Sequence, residues 1–151
     1  MTIKVATVWD SISALPISGL TIKDIDQVSE AWEIRGATLY PNITAPLELA
    51  TPVRQSLGTV AGGAKKDIRY TLNYTFAYAA VGSTRGIKDV MSGMFSMLAL
   101  IYNAVTESDA LPGSIDITPR ISAASTVVQD PSGNQFWGLS LAFDVLEYYE
   151  V

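Results

Sequence analysis

Between Asp67 and Ala79 the chain alternates without a break. Ile68, Tyr70, Leu72, Tyr74, Phe76 and Tyr78 take one set of positions, with Arg69, Thr71, Asn73, Thr75 and Ala77 between them. A period of two held that long requires a pleated strand with one apolar and one polar face. The pattern returns near the end, where Trp137, Leu139, Leu141, Phe143 and Val145 alternate with Gly138, Ser140, Ala142 and Asp144. Two shorter strands are expected at Ala37–Tyr40 and at Ile115, Ile117, Pro119 and Ile121. Pro41 and Pro119 confine these to sheet edges, bulges or points of departure, because proline cannot donate to a ladder. Asp130-Pro131-Ser132-Gly133-Asn134 is a turn, and it places Val127 and Val128 on the arm opposite the last strand.

The period changes to that of a helix in two places. Val5, Val8, Trp9 and Ile12 predict a short helix within 3–15, ended by Pro16 and Gly19. Ile87, Val90, Met91, Met94, Phe95, Leu98, Ile101, Tyr102 and Val105 predict an amphipathic helix over 86–106 with a wide apolar stripe. Ser83-Thr84 offers it an N-cap, and Asp89 lies in the first turn, where the helix dipole favours an acid.

Two stretches carry no clear period. Residues 20–36 read as an irregular acidic connection anchored by Leu20, Ile22, Ile25 and Trp32. Residues 42–66 hold Pro46, Pro52, Gly58, Gly62 and Gly63 and read as a long loop or hairpin arm, with room for a short strand inside Leu47–Leu57. The order is helix, strand, loop, strand, helix, strand, strand. It predicts one α+β domain over 1–151, with a mainly antiparallel sheet of four to five strands and both helices on one face.

Composition narrows the chemistry. With 151 residues, 48% of them apolar, the chain builds a core without staples. It contains no histidine and no cysteine, which removes imidazole bases, thiolate nucleophiles, disulfides and most zinc or iron sites. Fifteen acids against ten bases give a net charge of −5, which argues against a general nucleic-acid binder. Asp24, Asp26, Glu30 and Glu33 cluster early, and Arg54, Lys65, Lys66 and Arg69 flank the glycine-rich stretch. These clusters are either two solvated patches or complementary surfaces between identical subunits. No secretory signal is evident, and the apolar window Met91–Val105 is too short for a bilayer, so no membrane partner is expected.

No catalytic, cofactor-binding or metal-ligating set emerges. Gly58-Thr-Val-Ala-Gly-Gly-Ala-Lys-Lys lacks the adjacent Gly-Lys-Ser/Thr of a phosphate loop and leads into a strand instead of a helix. Asp24 and Asp26 lie in a polar connection, where solvated acids outnumber catalytic pairs. The strand tyrosines and Met91, Met94 and Met97 read as core, with a ligand pocket as the alternative for the tyrosines. At the end of the chain, the adjacent Tyr148 and Tyr149 put at least one ring at a surface or an interface.

The N-terminal helix, Leu39-Tyr40-Pro41 after the acidic stretch, the strand 69–79, the helix 86–106 and the closing Phe-Trp-Gly-Leu-Ser-Leu-Ala-Phe-Asp-Val-Leu-Glu run together resemble the tail terminator (tail-to-head joining) proteins of long-tailed bacteriophages. The resemblance implies a non-enzymatic virion protein of the neck, assembled in the host cytoplasm as a homo-hexameric ring. Such a ring caps the tail tube, stops its polymerisation and meets the head connector or stopper protein, while DNA passes through without sequence-specific binding. Arg54, Lys65, Lys66, Asp24, Asp26, Glu30, Tyr148 and Tyr149 are then interface candidates, and no cofactor is expected. A head-closure protein, a tail tube subunit or a small non-catalytic ligand-binding domain are the alternatives.

Overall fold

The computed structural model describes residues 3–23, 33–50, 65–82, 86–107, 115–122 and 125–150. Along the chain lie α1 (Val5–Ser13), β1 (Leu20–Ile22), β2 (Ala37–Pro41), β3 (Leu47–Leu49), β4 (Lys65–Ala80), α2 (Ile87–Thr106), β5 (Ile115–Ile121), β6 (Val127–Gln129) and β7 (Gln135–Glu150). This is an α+β fold on one mixed sheet, ordered β1-β2-β4-β7-β5, with β3 also on β4 and β6 also on β7.

The two strands with the strongest alternation form the axis. β4 and β7 pair antiparallel from Lys65↔Glu150 to Ala80↔Phe136. β2 and β3 run in the same direction along the outer side of β4, and β5 and β6 do likewise along β7. Each outer pair follows one line of chain: β2 and β3 are separated by residues 42–46, and β5 and β6 lie on either side of residues 123 and 124, which are outside the described residues. The sheet thus has seven strands where four to five are expected, because each outer line is divided in two and the short β1 is added. Sequence periodicity predicts those lines; it does not see where the β2–β3 line breaks its pairing with β4.

Apolar alternation then builds the core. Ile68, Tyr70, Leu72, Tyr74 and Phe76 of β4 join Leu139, Leu141, Phe143 and Val145 of β7 under Val8 and Ile12 of α1 and Met94, Ile101 and Val105 of α2. Fully burying each large side chain contributes roughly 1.5–3 kcal/mol. The Tyr74 ring sits 5.5 Å from Trp9 and 5.2 Å, edge-on, from Phe143. The strand tyrosines are thus packed core. On the opposite face Tyr40, Ala77, Val128 and Phe136 form a second, smaller core at the β6 end.

The alternation fails at one point. The ladder steps from Ala77↔Gly138 to Ala79↔Trp137, leaving Tyr78 as a bulge. Gly138 permits it, since a Cβ there would collide with the Phe76 carbonyl and a Val128 methyl. Tyr78 leans toward α2, where a Cβ on Gly93 would overlap its hydroxyl.

Three expectations need correction. Residues 20–22 form β1, parallel to β2, where an irregular connection is expected; three residues are too few to show a period. The arm expected at 42–66 holds β3 within the window where a short strand is expected, but its end is corrected, since β4 already starts at Lys65. The N-cap of α2 is Gly86, without a side-chain cap, in place of Ser83-Thr84, which lie outside the described residues.

Candidate assembly surfaces

The predicted interface residues fall into two groups. Asp24, Asp26, Glu30 and Arg54 lie outside the described residues. Lys65, Lys66, Tyr148 and Tyr149 are brought together at one end of the central ladder, with Lys66 in register with Tyr149 and Asp67 with Tyr148. Lys66 and Tyr149 are far apart in sequence and meet only through the antiparallel return of β7, so spacing alone does not reveal the cluster. Tyr148 is 47% exposed, as the adjacent tyrosines predict for one of the two. Asp67 beside it is buried; one carboxylate oxygen lies 3.7 Å from Arg69 Nε and the other has no hydrogen-bond partner.

The outer face of the sheet holds an open trough of about 500 Å³, where Glu48, Arg69, Thr71, Asp116, Thr118 and Asp144 stand among apolar neighbours such as Val145 and Leu146. Asp144 ties three strands together. It accepts a 2.8 Å hydrogen bond from the Thr71 hydroxyl through one oxygen and a 2.5 Å bond from Arg120 Nε through the other. Asp144, by hydrogen bond and charge, holds the Arg120 guanidinium above its usual pKa, and the charge of Glu48 adds to the effect. Both partners are well exposed, so the pair contributes at most about 1 kcal/mol to stability.

A third surface is apolar. Leu98, Ala99, Ile101 and Tyr102 of α2 face Pro119 and Ile121 of β5 across an open groove of about 520 Å³. Tyr102 is 51% exposed, and Phe95 and Ile121 are each 56% exposed. The wide stripe of α2 is broader than the strip the sheet covers. By length and composition alone α2 also passes the test for a membrane-crossing helix, although Val90, Met94, Ile101 and Val105 are spent on the core.

Glu147 is the residue that sequence reasoning overlooks. It is only 4% exposed, on the core face of β7. Tyr70 donates a 2.8 Å hydrogen bond to its Oε1, and the backbone N–H of Lys4, at the start of α1, donates to Oε2 at 3.1 Å. Its position two beyond Val145 in a period-two strand marks it as inward-facing. Burial and this carboxylate push the Tyr70 phenol well above the ordinary tyrosine range.

Among the described residues no group of three or more Asp, Glu, His or Cys side chains is placed to hold a metal ion. No protein-family model matches this sequence, and no curated protein is significantly similar to it.

Proposed function

We propose that this chain is a structural subunit of a bacteriophage neck: a tail terminator that assembles as a hexameric ring, caps the tail tube and joins it to the head connector. The observation that supports this reading most is the exposed apolar surface of Tyr102 and Ile121 at the groove between α2 and the outermost strand β5, with Phe95 also exposed on α2. Contiguous exposed apolar surface rimmed by polar residues marks protein–protein contact. The conspicuous polar groups support it in a second way, since Glu147, Tyr70, Asp144 and Thr71 are engaged in bonds that tie strands and α1 together. An outer face carrying Glu48, Asp67, Asp116 and Asp144 against Arg69 and Arg120 holds phosphate weakly, which suits a conduit that DNA must leave freely.

The test is native mass spectrometry of the purified chain, alone and with the tail tube protein of the same particle. The reading predicts a discrete ring that associates with tube ends. A monomer under both conditions would sink it.

A further inference from the structure

At the level of β3 the sheet is four strands wide, β3-β4-β7-β5, and every neighbouring pair is antiparallel. An even number of alternating strands makes the two edges run in opposite directions. A copy related by rotation about an axis along the strands therefore brings its β3 beside β5 of the first copy in antiparallel sense. The helices of both copies then lie on the same side of the joined sheet. Among the described residues no strand pairs with the outer side of β3 or of β5.

The backbone groups on those edges can be assigned. Ser122 donates to the Ser140 carbonyl at 2.9 Å, continuing the β5–β7 ladder. Bonded and non-bonded pairs alternate in an antiparallel ladder, so the even-numbered residues of β5 are the ones bonded to β7. Ile117 and Ile121 thus turn both N–H and C=O outward, and Pro119 offers its C=O. On β3, Asn73 donates to the Pro46 carbonyl at 2.8 Å and Ala50 donates to the Arg69 carbonyl at 3.2 Å. By the same alternation Leu47 and Leu49 present their N–H and C=O groups outward.

We infer that a second copy of this chain docks its β3 on the β5 edge, with Leu47 opposite Ile121, Glu48 opposite Arg120 and Leu49 opposite Pro119. This rests on the ring reading and names the contact that closes the ring. Leu47 and Leu49 stand opposite the core residues Leu72 and Tyr70, so they share the helix-side face. Ile121 stands opposite Leu141 on that same face, at the mouth of the apolar groove beside Tyr102. Leu49, 60% exposed in the isolated chain, is then covered.

Charge selects the register. On the other face Glu48 meets Arg120, whose guanidinium has five donors and uses Nε on Asp144, leaving others for a second carboxylate. A slip of two residues puts Glu48 against Thr118 and loses the pair. A slip of four opposes Glu48 to Asp116, and like charges directly opposite are destabilising. Pro119 removes one of four edge hydrogen bonds, which disfavours indiscriminate pairing of this edge with other strands.

The absence of cysteine makes the contact directly testable. Within one chain Leu47 stands level with Pro119 three strand spacings away, about 14 Å, and Ile121 lies farther still along β5, beyond disulfide reach of about 7 Å. Leu47→Cys with Ile121→Cys, oxidised after circular dichroism shows the reduced variant folded, should run on a non-reducing gel as a ladder of covalent multimers up to the ring size. Each single variant should stop at dimer. Leu49→Cys with Pro119→Cys, in the same register, should give the same ladder. Rings in native mass spectra with neither pair cross-linking beyond its single-variant controls would overturn the contact and leave the ring standing. A wild-type chain that stays monomeric at every concentration, with no ladder, would overturn the ring reading and the contact with it.

Discussion

The Tyr70 hydroxyl donates a 2.8 Å hydrogen bond to Glu147 Oε1, joining the two central strands through a carboxylate held inside the core. The other oxygen of Glu147 receives the Lys4 N–H, so the same group fixes the start of α1 against the sheet. Desolvating a carboxylate is costly, and the two donors offset that cost. Tyr70→Phe removes one donor while keeping the ring. It should destabilise the chain by about 1–3 kcal/mol, read as a drop in the urea midpoint with an unchanged slope. In a double-mutant cycle with Glu147→Gln the two losses should be less than additive. Strict additivity would mean that the bond carries no coupling.

Tyr40 gives a pH dependence of definite sign. Its hydroxyl donates to the Gln129 carbonyl at 2.9 Å, and burial foremost pushes its pKa up to about 12. The unfolded chain ionises at the ordinary tyrosine value near 10. The protonated phenol therefore contributes its full stability below about pH 10. That contribution is lost as pH rises from there through about 12. Urea titrations across the alkaline range should show stability falling in that window, and Tyr40→Phe should flatten part of the fall. Tyr70, shifted in the same direction, adds to the slope.

Gly138 and Gly93 are both places where a methyl group does not fit, but their neighbours differ. At Gly138 the obstacle is the Phe76 carbonyl, which belongs to the central ladder and cannot swing away. Gly138→Ala should cost roughly 1–3 kcal/mol or more. At Gly93 the obstacle is the far end of the Tyr78 side chain. Gly93→Ala should cost less, and Tyr78→Ala in the same chain should restore most of the loss. Thermal melts of the four proteins check both statements.

Phe95, Tyr102 and Arg120 separate assembly from folding. Exposed positions of this kind change monomer stability by about 0.5 kcal/mol or less on substitution, and a half-exposed ion pair is worth at most about 1 kcal/mol. Phe95→Ser with Tyr102→Ser, or Arg120→Met alone, should leave the melting temperature nearly unchanged and lower the ring population in native mass spectra. Equal ring populations would show that neither the exposed apolar surface nor the Arg120 charge is used.

The long strands and α2 are legible in the chain because each repeats its period many times. β1 is not, because three residues carry no period and its pairing is decided by what β2 presents to it; β3 falls inside the window Leu47–Leu57 where a short strand is expected, but its bounds and its pairing with β4 are not readable there. Tyr78 shows another limit: its position continues the alternation, yet the ladder skips it, because Gly138 lets the partner strand close up. Of the candidate surfaces, the terminal tyrosines can be read from adjacency. The apolar groove cannot, since α2 and β5 meet only after β7 has paired with both β4 and β5. Glu147 is visible in retrospect as an acid on an apolar phase.

The outer strands are short and pair with the axis in pieces, β2 and β3 on β4 and β5 and β6 on β7, whereas β4 and β7 share fifteen register pairs broken only at Tyr78. Pulled lengthwise in opposite directions, two such strands must shear many hydrogen bonds at once, while a hairpin opened from its end gives way one bond at a time. The chain thus has a mechanical axis. Along it the domain is a stiff beam, and across it the outer lines yield first.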